Sequence, residues 1–203
     1  MAIYLIRHGE TEGNARRILQ QPETPLSERG IAQAERLAVR LADAGIAAIL
    51  ASDYARAAMT AECLAETTGA PLEHEPLLQE RSFGDLRGQA YDDLHARGIA
   101  PFAEDYAPPG GESWEVFHAR VDAAWSVVES AAARTVGHLA VVTHGLVCHS
   151  LVSRVLGGHP DPNAALTFPN TALSIAEGPP WRLELVGCAA HLEGFEAREG
   201  GAA

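Results

Sequence analysis

Residues 2–11 read Ala2-Ile3-Tyr4-Leu5-Ile6-Arg7-His8-Gly9-Glu10-Thr11. The short apolar run 2–6 near the start of the chain has the pattern of a buried strand. Its end delivers Arg7 and His8 together to the mouth of a sheet. A guanidinium matches phosphate oxygens, an imidazole nitrogen is a nucleophile, and a glycine lets the backbone approach closely, a combination suited to binding and attacking a phosphoryl group. An isolated Arg-His-Gly is better explained by an ordinary surface or capping histidine. The reading gains weight from segments further on: Ser52-Asp53-Tyr54-Ala55-Arg56, Glu80 within Leu78-Gln79-Glu80-Arg81-Ser82-Phe83-Gly84, and Thr143-His144-Gly145.

The 203 residues suffice for one α/β domain around a well-filled core. Hydrophobic residues make up 47% and charged residues 21%, values of an ordinary globular chain. A formal net charge of -12 and a pI of about 5.1 argue against nucleic acid or an anionic membrane as a partner held by the overall field. Small anions stay open as ligands, because a local pair such as Arg7 and Arg56 outweighs a diffuse negative surface at contact range. Cys63, Cys148 and Cys188 are odd in number and widely spaced, with no Cys-x-x-Cys, which fits thiols packing in a reducing compartment. The apolar run before Arg7 is too short for the core of a signal peptide, and no window approaches the ~20 apolar residues of a membrane span. The expectation is a soluble, cytoplasmic protein.

Beyond the first strand, residues 12–25 are polar, broken by Gly13, Pro22 and Pro25, and read as loop. Ser27 is a good N-cap for a helix to about Ala44, with Ile31, Ala34, Leu37, Ala38 and Leu41 as its apolar stripe and Gly45 after it. Residues 46–51 read as a second buried strand, Ser52-Asp53 as capping candidates, and 54–68 as a helix stopped by Gly69. A short extended segment is predicted at 71–75 and a short helix at 91–97. Ser113 caps a long helix to about Thr135, with Val116, Val121, Ala124, Val127 and Val128 on or near its buried face. Then come a strand at 139–143, a helix at 145–156, and two closing strands at 172–176 and 182–186 around Gly178-Pro179-Pro180. Alternating strands and helices argue for a sheet covered on both faces. In such sheets ligands gather outside the carboxyl ends of the strands, where Arg7-His8, Ser52-Asp53 and Thr143-His144 all fall.

In this order the four motifs resemble the histidine phosphatase superfamily, also called the phosphoglycerate-mutase-like family, from Ile3 to about Ser174. The resemblance implies an α/β fold, a three-layer α/β/α sandwich with a mixed, mostly parallel sheet. One domain is expected over residues 1–192, with the Gly-, Ala- and Glu-rich stretch 193–203 as a frayed tail.

His8 is the expected nucleophile, since a neutral imidazole is available at neutral pH without a metal. Arg7 and Arg56 are the expected phosphate clamps, charged and bidentate. Arg56 lies in the first turn of its helix and can share an anion with that helix end. The resemblance adds Asn14 as an amide donor to the phosphate and Glu80 as the group that protonates the leaving oxygen and then activates water. Glu10, Glu12 and Asp85 are weaker candidates for that task. By the same resemblance His144, protonated or hydrogen-bonding, stabilises charge on the transferring group, and the helix start at Gly145 offers free backbone amides. His149 reads as core or surface. His74, His95, His118, His138, His159 and His191 form no metal-spaced set, so neither metal nor cofactor is expected.

One departure from the family pattern stands out. Family members often carry a glycine after the glutamine near position 20, whereas this loop reads Gln20-Gln21-Pro22-Glu23-Thr24-Pro25-Leu26, which leaves its contacts to the substrate open. Mutases of the family carry a longer insert after the glutamate. The short stretch 84–108 followed by Pro109-Gly110-Gly111-Glu112-Ser113 resembles the small phosphatase branch, which includes broad-specificity and α-ribazole phosphatases. The expectation is a phosphatase acting on a small phosphorylated metabolite, with a cofactor-dependent phosphoglycerate mutase as the alternative and a non-catalytic phosphate-binding regulator as a more distant one. Residues 81–112 and the vicinity of Pro169-Asn170-Thr171 are expected to shape the leaving-group pocket, whose ligand the sequence does not name. A homodimer and a monomer both stay open.

Overall fold

The computed structural model describes residues 1–159, 161 and 164–195. Strands β1 (Ala2–Arg7), β2 (Ile46–Ala51), β3 (Leu72–His74), β4 (His138–Thr143), β5 (Leu173–Glu177) and β6 (Arg182–Cys188) form one sheet in the order β3-β2-β4-β1-β5-β6. Strands β1 to β4 pair in parallel, whereas β5 runs antiparallel to both β1 and β6. The sheet is mixed and mostly parallel, as the sequence led us to expect. The helices are α1 (Glu12–Ala15), α2 (Glu28–Leu41), α3 (Ala55–Thr68), α4 (Tyr91–Ala96), α5 (Trp114–Arg134) and α6 (Gly145–Ser150).

The period of two along each central strand divides the core into two layers. Ile3, Leu5, Leu50, Leu139 and Val141 pack on Phe117, Val121, Trp125 and Val128 of α5 and Val147 of α6. The alternate residues, Ile6, Ile49, Ala51, Ala140 and Val142, pack on Leu37 and Leu41 of α2 and Ala57, Ala61 and Leu64 of α3. A strand covered on both faces is apolar throughout, hence the unbroken runs in the sequence. A smaller cluster of Leu19, Phe83, Leu86 and Leu94 anchors the irregular segment between β3 and α5.

Several local expectations change. Residues 12–15 are helical rather than loop, because Thr11 accepts from the Asn14 amide and the Asn14 side chain accepts from the Thr11 amide, a capping box that offsets Gly13. The helix after β2 is capped by Tyr54 without a side-chain bond. Ser52 Oγ accepts from the Tyr54 amide at 3.3 Å, just ahead of the helix, and also lies 2.8 Å from Nε2 of His144. On α5, Val116 is exposed and Phe117 is fully buried. The large Phe117 and Trp125 rings set the helix phase, and Val116 falls outside it. Ile31 of α2 is likewise at the surface. The helix predicted at 145–156 ends as α6 at Ser150 and continues as one π-turn over Leu151–Val155. Of the stretch expected to fray, 196–203 lie outside the described residues, and Phe195 is placed with its ring centre 4.7 Å from the Arg36 guanidinium.

Gly9 shows why the chain turns sharply after β1. A Cβ there would stand 2.5 Å from the carbonyl oxygen of Gly30, so only glycine lets the loop lie against the start of α2. That approach holds His8 at the rim of the sheet.

Candidate active site

Register brings the motifs together. Arg7 of β1 pairs with Thr143 of β4, and Ala51 of β2 pairs with Val142 of β4. The next residues, His8, Ser52 and His144, therefore emerge side by side at the carboxyl ends of adjacent parallel strands. The His8 amide donates to the Thr143 carbonyl at 2.9 Å, and the Ser52 amide to that of Val142 at 2.9 Å. The cavity in front has a volume of about 190 Å³ and is lined by Arg7, His8, Asn14, Arg56, Glu80 and Gly145 among others. Six of the seven expected site residues thus share one cavity wall. His144 stands behind it.

His8 is buried, and its Nδ1 lies 2.7 Å from the Gly9 carbonyl oxygen. That acceptor places the hydrogen on Nδ1 and leaves the lone pair on Nε2. Arg56 Nε donates to this Nε2 at 3.3 Å. Burial, then the charges of Arg56 and Arg7, hold the proton affinity of His8 well below that of an ordinary histidine, so the ring is neutral. The Gly9 amide donates to Thr60 Oγ1 at 3.0 Å, which ties the loop to α3.

Arg56 also donates to the Gln21 carbonyl at 3.1 Å, and burial lowers its pKa to about 10. Arg7 donates from Nη1 to the Phe168 carbonyl, while its Nε is buried without a partner. A buried unpaired donor costs about 1–3 kcal/mol, so the Arg7 Nε marks a place where an anion fits. A Cβ on Gly145 would lie 3.5 Å from that Nε, so the start of α6 and the guanidinium flank the same spot. Asn14 Oδ1 accepts from the Thr11 amide at 3.2 Å, the Thr11 hydroxyl at 3.0 Å and Asn170 Nδ2 at 3.3 Å. Its oxygen is fully engaged, and its amide donors remain for the cavity.

Glu80 accepts from the Arg81 amide at 3.0 Å and from the Leu146 amide at 3.2 Å. Burial nevertheless raises its pKa above the usual carboxylate value, against those bonds and the charges of Arg56 and Arg7. A second layer fixes its backbone. Arg120 donates to the carbonyls of Leu77, Gln79 and Glu80 at 2.8, 2.7 and 3.3 Å and pairs with Glu112 at 2.7 Å. Arg81 points away from the cavity centre, donating to the carbonyls of Glu112, Pro101 and Tyr106.

His144 is fully buried, with ring centres 5.1 Å from His8 and 5.4 Å from Tyr54. Its Nε2 lies 2.8 Å from Ser52 Oγ, and its Nδ1 has no partner. Burial, followed by Arg56, His8 and Arg7, lowers its pKa well below 6.5, which disfavours the protonated alternative and leaves a neutral, hydrogen-bonding ring. Sequence reasoning placed Ser52 at a strand end, Tyr54 in its motif, and Arg87 and Asn170 only within stretches expected to shape the leaving-group pocket, gave none of them a role here, and did not single out Arg120 at all. Asn170 Nδ2 donates to the His8 carbonyl at 3.1 Å, beside Thr171, whose φ of 56° is rare for a β-branched residue. Among the described residues no group of three or more His, Cys, Asp or Glu is placed to hold a metal ion, and no helix is long and apolar enough to cross a membrane.

A mixed sandwich with a histidine and two arginines at the ends of its parallel strands defines a phosphoglycerate-mutase-like α/β protein. The structure superposes on a phosphoglycerate mutase from Bacillus anthracis with a TM-score of 0.80 at 26% identity, covering 95% of each chain. It superposes on a putative alpha-ribazole-5'-P phosphatase from Escherichia coli with a TM-score of 0.80 at 25% identity, over 93% of this chain and 97% of that one. With a mycobacterial glucosyl-3-phosphoglycerate phosphatase the TM-score is 0.76 at 28% identity, over 91% and 96%. In sequence, a probable phosphoglycerate mutase of Erwinia tasmaniensis is 32% identical, with 95% of each chain covered. Residues 3–190 match the profile of the histidine phosphatase superfamily (branch 1), and the chain belongs to that family.

Proposed function

We propose that the protein is a phosphatase that hydrolyses small phosphomonoesters through a phosphohistidine on His8. The observation that carries this reading is the single tautomer of His8, with Nδ1 on the Gly9 carbonyl and a lone pair on Nε2 beside Arg56. The phosphate dianion enters between Arg7 and Arg56 and takes the Arg56 donor, which frees Nε2. Nε2 forms the N–P bond as the P–O ester bond breaks, and the leaving oxygen takes the Glu80 proton. The Glu80 carboxylate then accepts a proton from water, whose oxygen attacks phosphorus. The N–P bond breaks, inorganic phosphate leaves, and His8 and Glu80 return to their starting states. Asn14, the Gly145 end of α6 and the unpartnered Nδ1 of His144 supply donors for charge on the equatorial oxygens. The reaction involves no metal or other cofactor.

The relatives bear names of mutases and of phosphatases, so names leave hydrolysis and isomerisation open. Hydrolysis is supported by the use made of residues 84–112, the stretch available to cover the cavity. Leu86 and Leu94 lie in the small apolar cluster, with Tyr91, Ile99 and Tyr106 packed against it. Little chain remains for a lid against water.

The test is brief exposure to labelled phosphomonoester followed by mapping of the labelled residue. Acid-labile, base-stable phosphate on His8, and its absence together with turnover in His8→Ala, is the expected result. Ordinary turnover in His8→Ala overturns the proposal.

A further inference from the structure

The motif Pro109-Gly110-Gly111-Glu112-Ser113 has no part in the chemistry above. It is folded against the segment that carries Glu80. The Glu112 amide donates to the Ser82 carbonyl at 2.9 Å, the Ser82 amide to Glu112 Oε2 at 2.7 Å, and the Asp85 amide to the Pro109 carbonyl at 2.9 Å. A Cβ on Gly111 would stand 2.5 Å from the Ser82 carbonyl oxygen, so glycine lets the two stretches lie this close. Ser113 then caps α5, accepting from the Val116 amide. Arg120 follows about two turns along that helix.

Glu80 lies between the 3-10 turns at Pro76–Leu78 and Gly84–Leu86, outside any strand or helix. Backbone groups there need partners of another kind. One guanidinium supplies most of them. Arg120 donates from Nη1 to the carbonyls of Leu77 and Gln79, from Nη2 to the Glu80 carbonyl and Glu112 Oε2, and from Nε to Glu112 Oε1. These bonds use every N–H donor that a guanidinium has. The remaining carbonyl of the run, that of Leu78, takes the Thr143 hydroxyl at 2.6 Å. Glu112 meets Arg120 through both carboxylate oxygens, which orients the fork as well as neutralising it.

The Glu80–Arg81 peptide links this frame to the acid. Its carbonyl accepts from Arg120 Nη2 at 3.3 Å, and its amide donates to Glu80 Oε1 at 3.0 Å. A planar unit thus joins the guanidinium on one side to the carboxyl group on the other. Rotation of that peptide would withdraw the amide and leave the carboxyl on the Leu146 amide alone, 3.2 Å from Oε2. Neither Arg120 nor Glu112 lines the cavity.

We propose that Arg120 and Glu112 are positioning residues for the proton donor. They set the angle of the Glu80–Arg81 peptide, and through it the place of the carboxyl group, without touching the substrate. Their loss weakens protonation of the leaving oxygen and spares phosphate binding at Arg7 and Arg56. The inference rests on the phosphatase reading, with Glu80 as the acid.

The experiment measures single-turnover phosphorylation of His8 with glycerol 3-phosphate and with p-nitrophenyl phosphate, and calorimetric binding of inorganic phosphate. The proteins are wild type, Arg120→Met, Arg120→Lys and Glu112→Gln, each checked for an unchanged circular dichroism spectrum. A displaced general acid costs about ten- to hundredfold. Arg120→Met is expected to slow the alkyl ester by that factor and the aryl ester by less than about threefold, with phosphate affinity unchanged. Arg120→Lys keeps the charge with fewer donors and should recover part of the alkyl rate. Glu112→Gln should fall between wild type and Arg120→Met. Equal losses for the two esters, no loss for either, or a loss in phosphate affinity overturns the inference. Should Arg120→Met fail to fold, the alkyl-to-aryl ratio in Arg120→Lys and Glu112→Gln decides. The Leu146 amide signal in nitrogen-15 spectra reports the carboxyl group without any chemistry. It should move in the Arg120 variants toward its position in Glu80→Ala, and an unmoved signal overturns the inference. Should wild type form no phosphohistidine, the phosphatase reading fails, and that signal still decides whether Arg120 holds the carboxyl group.

Discussion

Arg56 Nε lies 3.3 Å from Nε2 of His8 and donates to it, which makes one arginine both a ligand for the expected phosphate and the guard of the nucleophile's protonation state. Burial and the two nearby guanidinia hold His8 neutral well below pH 6.5. Glu80 has the opposite displacement, its carboxyl retaining a proton above 4.5. Nucleophile and acid are thus both in their reactive forms on the acid side of neutrality. With an alkyl phosphate, kcat/KM should show no fall centred near 6.5 on the acid limb once substrate ionisation is allowed for. It should decline on the basic limb as Glu80 loses its proton. An acid limb centred at the ordinary histidine value would place the titrating nucleophile elsewhere.

The Ser52 hydroxyl, 2.8 Å from Nε2 of His144, orients a ring that has no other polar contact. Ser52→Ala should lower kcat by roughly three- to tenfold, the worth of one neutral hydrogen bond. KM should change little, because Ser52 does not line the cavity. Steady-state kinetics with p-nitrophenyl phosphate measures both. A change confined to KM would assign Ser52 to ground-state binding instead.

His8 and His144 also tie stability to pH. Each is buried and neutral in the folded protein, with a pKa below the unfolded value of about 6.5. As pH falls through that value the unfolded chain gains protons that the folded chain refuses, so stability drops; above it neither histidine contributes. Glu80, whose folded pKa is raised, loses stability in the other direction, as pH rises from its ordinary value toward the folded one. Urea unfolding of wild type should therefore weaken between about pH 7 and about pH 5.5. His144→Asn, which removes one such group, should flatten the slope. An identical slope in the variant would show that burial of His144 carries no proton linkage.

General-acid help is worth about 10²–10⁴ in rate. Glu80→Gln keeps an acceptor for the Arg81 and Leu146 amides and loses the proton. An alkyl leaving group needs that proton in the transition state, whereas p-nitrophenolate hardly does. Single-turnover phosphorylation of His8 should slow by roughly 10²–10⁴ for an alkyl ester and much less for the aryl one. Equal losses would move the acid's role to another carboxyl group.

The elements that could be read in the sequence are those whose signal is local. The strand before Arg7-His8, the Ser27 and Ser113 caps and the left-handed Gly69 depend on a few adjacent residues. Parallel strands then bring their carboxyl ends together, so Arg7, His8, Arg56 and Gly145 could be gathered before any distance was known, whereas Asn14 and Glu80 came only from the family resemblance. What escaped was set by partners far along the chain. Ser52 has the look of a helix cap, and its hydroxyl does take the Tyr54 amide, but its contact with His144, 92 positions away, is invisible locally. Val116 looks like a core residue until Phe117 and Trp125 fix the rotation of α5. The withdrawal of His144 behind His8 follows from ring packing that no spacing encodes. Arg87 is a lone loop arginine, indistinguishable in sequence from a solvated one.

The balance between hydrolysis and isomerisation turns on how long the phosphohistidine survives. An isomerase must keep the phosphoryl group on His8 until an acceptor acid arrives, which demands a cover against water. Between Glu80 and α5 the chain forms short 3-10 and helical turns whose apolar side chains, Leu86 and Leu94, are used in packing against Leu19 and Phe83. Gly84 is held at positive φ against the Pro109 and Gly110 backbone, which folds the segment back on itself, so that Phe83, Arg87, Tyr91 and Phe102 form part of the cavity wall. With 3-phosphoglycerate and a 2,3-bisphosphoglycerate primer, inorganic phosphate should therefore form faster than 2-phosphoglycerate in a time course that follows both. If the isomer forms many times faster than free phosphate, water is being excluded by some other part of the chain. His8, Glu80 and the two arginines then serve a mutase in the same roles.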